Sequence, residues 1–303
     1  MADNNTVGTT GHQWDDDEGF PLQEYNNPLP KWWLYSFWAT ILWAVVYWVL
    51  YPTWPLADGF TKGILGWSMH GEYQQEMDAA KAKQKVFNDQ LAKLSLQEIR
   101  KDNQLWQYAI SGGKALFGDN CAPCHGSGGV GVKAGGFPTL ADDDWLFGGD
   151  LDTIHETVAN GRTGQMPAHL QAAGGSFSDA QVNDLTAYVL SLSGINADKT
   201  AAARGDALFH GDAACNACHG DKGKGSLKDT VNGQPPPPVG APNLTDKIWL
   251  YGGDPGIVRD SIAKGRTGFM PAWAKGSKES GRNLDPLAIK QLTLYVHSLG
   301  GGQ

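Results

Sequence analysis

Apolar residues are spread unevenly along the 303-residue chain, and the densest run comes early. Trp32 to Tyr51, WWLYSFWATILWAVVYWVLY, is twenty residues without a charge. At 1.5 Å rise per residue it predicts a helix of about 30 Å, one hydrocarbon thickness. Trp32 and Trp33 at one end, and Tyr51 and Trp54 at the other, suit the two membrane interfaces. Pro52 and Pro55 stop the helix because neither can donate to its ladder. So many bulky aromatics are hard to enclose in a soluble core. A removable signal peptide is the wrong reading too: the run is too long, starts too far in, and has neither a basic lead nor a small-residue cleavage site. Residues 32–51 therefore read as an uncleaved transmembrane anchor that doubles as an export signal. Residues 1–31 read as a tail, with a solvated acidic run, Asp15-Asp16-Asp17-Glu18, and a turn-rich lead-in, Asn26-Asn27-Pro28-Leu29-Pro30.

Beyond the anchor the pattern turns helical and polar. Residues 52–104 form a connector in which Tyr73, Met77, Ala80, Phe87, Leu91 and Leu94 fall at steps of three and four. This amphipathic stripe is narrow and its opposite face carries both signs of charge. It is read as a helix lying on a partner subunit, in preference to one packing on its own domain or on the membrane surface. From residue 105 the pattern repeats. Gly113-Lys114-Ala115-Leu116-Phe117 matches Gly205-Asp206-Ala207-Leu208-Phe209, and Trp145 to Asp150 matches Trp249 to Asp254. Gly161 to Ala168 matches Gly265 to Ala272, and each copy ends in an apolar helical pattern, at 178–193 and 285–299. The second copy carries an extra ten residues around Pro235-Pro236-Pro237-Pro238, a stiff extended loop. Two units follow, 105–196 and 197–303, with the N- and C-terminal helices of each expected to cross.

The chemistry sits inside the repeat. Cys121-Ala122-Pro123-Cys124-His125 and Cys215-Asn216-Ala217-Cys218-His219 both read C-x-x-C-H and use all four cysteines of the chain. This spacing marks covalent haem attachment, two thioethers holding the porphyrin and the histidine reaching the iron. The duplicated context favours it over two zinc half-sites. After Met77 the chain contains only Met166 and Met270, which occupy one repeat position. Their recurrence marks them as the sixth iron ligands, and thioether ligation raises the potential. Two haems saturated in this way carry electrons and offer no place for substrate. His155 and His169 do not recur and read as surface histidines. Arg162 and Arg266, shortly before the methionines, either bind haem propionates bidentately or hold their own loop. Trp145 and Trp249 are pocket walls or helix packing. A backbone carbonyl beside Pro138 or Pro242 can accept the Nδ1–H of the nearby haem histidine and set its orientation.

Charge adds one exclusion and one asymmetry. The net charge is −8, which argues against nucleic acid as a partner. Residues 101–196 carry 4 basic against 10 acidic groups, residues 197–303 carry 13 against 10, and such asymmetry bears on docking. No phosphate loop, dinucleotide fingerprint or nucleophile elbow is present, and no residue is assigned a catalytic role.

The order of parts resembles the dihaem subunit III of cbb3-type cytochrome c oxidases. Asn26-Asn27-Pro28-Leu29-Pro30-Lys31-Trp32-Trp33-Leu34, the anchor, the connector and the tandem haem units carry the likeness over nearly the whole chain. The haem motifs alone fit many cytochromes, and the tail with its anchor discriminates. Some members have two membrane helices where this chain shows one. The resemblance implies an all-α fold with one N-terminal transmembrane helix and two tandem cytochrome c domains. It implies two covalent haem c groups, one on Cys121 and Cys124 with His125 and Met166 as axial ligands, the other on Cys215 and Cys218 with His219 and Met270. It implies a single-pass protein of the bacterial inner membrane with periplasmic haem domains. Electrons would come from a cytochrome c or bc1-complex donor and pass to the monohaem and haem–copper subunits, where oxygen is reduced. Lys31 and Lys62 test orientation poorly, so the placement rests on where c-type haem is attached. The haem units alone fit equally a free-standing membrane carrier or the cytochrome subunit of a periplasmic dehydrogenase. A dihaem peroxidase or a gas sensor would need a displaceable ligand, which the matched methionines oppose.

Overall fold

The computed structural model describes residues 8–14, 22–274, 276 and 283–300. The acidic run Asp15–Glu18 lies outside them. The chain divides into two compact units, residues 1–83 and 84–303.

In the first unit, β1 (Thr9–Gln13) pairs antiparallel with β2 (Gln23–Tyr25). Helix α1 (Lys31–Leu50) starts after Pro30, stops before Pro52 and buries none of its residues. Among the described residues it is the one helix long and apolar enough to cross a membrane. A short hairpin follows, β3 (Pro55–Leu56) with β4 (Gly59–Phe60). The chain then returns to the helix end, where the Ile64 and Leu65 amides donate to the Val49 and Leu50 carbonyls at 3.0 and 3.1 Å. Two carbonyls that α1 cannot satisfy itself gain partners there.

Helix α2 (Met69–Lys93) runs through the division between the units. In the second unit its C-terminal part packs on α3 (Leu96–Lys101) and α4 (Asn103–Asn120). Leu91 is 0% exposed, Phe87 stacks on Tyr108 at 4.8 Å, and Lys290 donates to the carbonyls of Leu91, Ala92 and Leu94 at 3.0, 3.1 and 2.7 Å. The Phe87–Leu94 part of the amphipathic stripe thus covers its own domain, not a partner. Tyr73 and Ala80 are exposed.

The remaining elements are α5 (Ala122–His125), α6 (Leu151–Asn160), β5 (Arg162–Met166), α7 (Asp179–Leu192), α8 (Lys199–His210), α9 (Asn216–His219), α10 (Pro255–Lys264), β6 (Arg266–Met270) and α11 (Pro286–Ser298). The class is helical, and the strands are short two-stranded ribbons. Caps define the long helices: Asp102, Asp150, Ser178, Asp198 and Asp285 each accept an amide of the first turn.

The helices do not pack in the order of the repeats. Helix α4 crosses α11, from the far end of the chain, and α8 crosses α7, from the preceding repeat. One core joins Phe117, Ile154 and Val158 to Ile289, Leu292, Tyr295 and Val296. The other joins Val182, Leu185 and Val189 to Phe209, Val258 and Ile262. A division into 105–196 and 197–303 describes the repeat in sequence, but each core takes its C-terminal helix from the other copy. Glycine makes both crossings close. A Cβ on Gly113 would lie 2.7 Å from Tyr295 Cβ, and one on the equivalent Gly205 would lie 2.8 Å from Tyr188 Cβ. Beside the second crossing, Arg204 grips Asp184 with two hydrogen bonds of 2.8 and 2.6 Å.

Gly205→Val should force α7 and α8 apart at a cost of about 1–3 kcal/mol, the usual range for overpacking. Thermal unfolding of the purified protein, followed by circular dichroism, should show the lowered midpoint.

Candidate functional site

Each C-x-x-C-H motif is a single helical turn at the end of a long helix, α5 after α4 and α9 after α8. The turn places the second cysteine and the histidine on successive positions facing one cavity. His125 Nδ1 lies 3.1 Å from the Pro138 carbonyl oxygen, and His219 Nδ1 lies 3.0 Å from that of Pro242. A carbonyl only accepts, so Nδ1 carries the proton in both rings and Nε2 keeps its lone pair for a metal. The carbonyl foreseen beside each proline is the proline's own. Burial lowers the pKa of both histidines, which keeps the imidazoles neutral, while the proline carbonyl opposes the shift. Burial pushes the Cys121 and Cys215 thiols up to about 11. Among the described residues no three or more His, Cys, Asp or Glu side chains group to hold a metal ion.

The opposite wall comes from the other repeat. Strands β5 and β6 pair antiparallel, with Arg162 opposite Met270, Gly164 opposite Gly268 and Met166 opposite Arg266. This register is a local two-fold centred on the glycine pair, and it carries each strand across to the other copy. Beyond the ribbon, His169 and Leu170 amides donate to Ile262 and Ala263 at the end of α10, both at 3.1 Å. Trp273 and Ala274 amides donate to Val158 and Ala159 at the end of α6, at 3.2 and 3.1 Å. Gly161 and Gly265, at φ 72° and 73°, make the turns into the strands. A Cβ on either would strike the backbone that follows the other copy's methionine.

Met166 therefore packs on the core that holds Cys215, and Met270 on the core that holds Cys121. The structure does not bring Met166 to His125 or Met270 to His219, as the repeat order led us to expect. Recurrence shows that both methionines hold one structural position, but it cannot show which cysteine motif each one faces. That is decided by strand pairing over a hundred residues.

Both motifs, both methionines, both arginines, Trp145 and Trp249 line one continuous cavity of about 630 Å³. The residues fit a haem in each half: apolar walls, two cysteines at the rim, an oriented imidazole, and a thioether from the crossing strand. Arg162 Nε donates to Thr157 Oγ1 at 2.9 Å, and Arg266 Nε to Ser261 Oγ at 2.9 Å. Their guanidinium groups lie over the rings of Phe147 and Tyr251, 5.2 and 4.2 Å from the centroids. The loop-holding role is thus present, at a place where the cavity is also reached. Phe147 and Tyr251 were missed as partners, although their recurrence after Trp-Leu marked them. Trp145 and Trp249 serve both cavity wall and core packing. His155 does not line the cavity. His169 is half-buried and lines it, which corrects its reading as a surface residue. It belongs to the half that holds His219, and its charge weighs on that ring.

The chain is similar to known proteins over nearly its whole length. Residues 6–58 match the family described as the N-terminal domain of cytochrome oxidase-cbb3, FixP. Residues 109–189 and 200–288 match the family described as cytochrome c oxidase, cbb3-type, subunit III. The cbb3-type oxidase subunit CcoP of Azospirillum sp. (strain B510) is 45% identical over 306 residues, covering 98% of this chain and 96% of its own. Subunit FixP of Azorhizobium caulinodans is 44% identical, covering 97% and 94%. Subunit FixP of Bradyrhizobium diazoefficiens is 45% identical, covering 97% and 95%. Cytochrome c domains imply covalently bound haem c.

One titration is open to test near the second motif. His210 Nε2 lies 2.8 Å from the Asp221 carbonyl and Nδ1 3.1 Å from the Asp206 carbonyl, an arrangement that suits two N–H donors. The Asp221 carbonyl chiefly raises its pKa, against burial and with help from Asp206. The ring's contribution to stability is then full below its unfolded value near 6.5 and is lost as pH rises through the raised folded value. His210→Ala should lower the unfolding temperature most at pH 5–6, and the difference from wild type should shrink in melts at alkaline pH.

Proposed function

The chain belongs to the subunit III family of cbb3-type cytochrome c oxidases, and on that premise we propose that its second unit holds two haem c groups as a paired electron relay. The observation that carries this is the single cavity lined by both C-x-x-C-H motifs and both methionines. One haem would be held by Cys121 and Cys124, with His125 and Met270 offering a nitrogen and a sulfur to its iron. The other would be held by Cys215 and Cys218, with His219 and Met166 in the same roles. Each iron thus takes its two ligands from different copies of the repeat. Haem iron supplies a one-electron couple, and thioether ligation raises its potential. The protein's part is to orient the imidazoles through Pro138 and Pro242, to present a sulfur from the crossing ribbon, and to exclude water with Trp145 and Trp249. Arg162 and Arg266, already fixed by Thr157 and Ser261, are the candidates for the propionates. Helix α1 anchors the subunit in the bacterial inner membrane, with the tail cytoplasmic and the haem unit periplasmic. Electrons arrive from a cytochrome c or bc1-complex donor and leave through the monohaem subunit to the haem–copper subunit.

The crossed ligation has a direct test. In a chain carrying Cys215→Ala and Cys218→Ala, the first motif alone binds haem covalently. Met270→His in that background should shift its visible spectrum toward bis-histidine ligation, whereas Met166→His should leave it unchanged. The reverse result would restore ligation within each repeat.

The assembly is tested by solubilising membranes in mild detergent. The chain should co-purify with a haem–copper and a monohaem subunit, and with oxygen consumption. Its isolation with a flavin or quinone-cofactor dehydrogenase, with oxidase activity elsewhere, would remove the reading.

A further inference from the structure

The two haem cradles are built alike, but their outer rims are not. After His125 the chain runs Gly126-Ser127-Gly128-Gly129-Val130-Gly131-Val132, and after His219 it runs Gly220-Asp221-Lys222-Gly223-Lys224-Gly225-Ser226. Backbone bonds fix the correspondence. Gly131 N–H donates to His125 O at 2.7 Å and Gly225 N–H to His219 O at 2.8 Å. Leu140 N–H donates to Gly129 O and Leu244 N–H to Gly223 O, both at 2.7 Å. Val130 therefore stands where Lys224 stands, and Val132 where Ser226 stands.

The second rim is covered by the inserted segment. Asp229 Oδ2 accepts the Lys222 and Lys224 amides at 2.8 and 3.0 Å. The Asp221 amide donates to Thr230 O at 3.0 Å, and the Asn232 amide donates to Asp221 Oδ2 at 3.0 Å. A Cβ on Gly220 would strike the Asp229 side chain. His219, Gly220, Gly223, Gly225 and Ser226 are all buried. The first copy lacks the insertion. Cys124 and Cys218 are both exposed, but Val130 is 64% and Val132 39% exposed, and His125 is only half-buried where His219 is buried.

The open rim also has a sign. Thr139 Oγ1 donates to the Val130 carbonyl at 3.1 Å, which ties the loop to the strand of chain leading into Asp142, Asp143 and Asp144. Asp142 and Asp144 act on one another and on Asp246, while Lys228 acts on Asp144 and donates to the Asp143 backbone carbonyl at 3.3 Å. Burial and then this crowding raise the Asp142 and Asp144 pKa values, Asp144 to about 6. Cations brought alongside would relieve that repulsion.

We propose that the rim of the first haem, Val130 and Val132 with the Asp142 and Asp143 carboxylates on the chain that follows Thr139 and Leu140, docks the soluble electron donor, a small c-type cytochrome with a basic rim around its own haem edge. A small apolar centre with charges beside it suits a transient redox encounter, whereas a permanent subunit contact is larger and more apolar. The haem on Cys121 and Cys124 is then the first to be reduced, and the covered haem passes electrons onward. This rests on the relay reading above.

The test uses the complete detergent-solubilised oxidase and measures the second-order rate of its reduction by a basic monohaem cytochrome c. Val130→Lys and Asp143→Lys should each lower that rate roughly tenfold at low salt, with the gap closing as ionic strength rises. Lys224→Glu, at the covered rim, should leave it unchanged. Oxygen uptake with tetramethylhydroquinone, a small uncharged reductant, should be unaffected in all three. Asp143 is exposed, so its variant reports even if the Val130 variant fails to assemble. A loss confined to Lys224→Glu, or no loss in either first-rim variant, overturns the proposal. So does release of the monohaem subunit by these variants, which would make the rim a permanent interface. A wild-type complex that consumes no oxygen with either reductant would instead overturn the relay reading itself.

Discussion

The antiparallel pairing of Arg162–Met166 with Arg266–Met270 is the constraint on which the haem unit depends. It is a five-residue ribbon with glycine opposite glycine at its centre. Because each strand leaves one copy and crosses into the other, it determines which helices cross and which methionine faces which histidine. Left-handed glycines immediately before the strands let each one pass against the backbone of its counterpart. The result is one body with two interlocked cores, and neither half can complete its pocket without the other. Interlocking of this kind holds the two cradles in one fixed relation, which a pair of beads on a flexible linker would lack.

Around the ribbon, rigidity is supplied mostly by hydrogen bonds to backbone carbonyls. The proline carbonyls fix both imidazoles, and a carbonyl of each histidine is fixed in turn by the glycine loop that follows. Lys290 binds the end of the connector helix to α11, which itself packs against the first cradle. A redox centre gains from such support, since electron transfer is fastest when the ligand set need not rearrange. The cores supply the rest, with Phe117 and Phe209 at equivalent places under the two attachment turns.

Much of this was legible in the chain because it is local. An uncharged run of helical length, a pentapeptide with covalent meaning and a methionine that recurs at one place all lie within short windows. The connector stripe was legible as a helix but not in its partner: the same periodicity serves a docking face and a domain face, and burial of Leu91 chose the second for its C-terminal part. The arginines show a similar limit. Their repeat position marked them as important, yet only the neighbouring Thr157 and Ser261 hydroxyls reveal how they are held.

What the sequence by itself determined is therefore the inventory: one apolar helix, two C-x-x-C-H turns, two recurring methionines, and a helical frame repeated with one insertion. The tertiary structure alone decided the pairing of Met166 with the His219 half and of Met270 with the His125 half. It also turned the insertion into a cover over the second rim, leaving the first bare. The physical reason is that spacing along the chain encodes contacts within a few turns, whereas a crossing of two near-identical segments has two solutions of the same local chemistry. Strand register, the close approach at Gly161 and Gly265, and the helix crossings at Gly113 and Gly205 select between them.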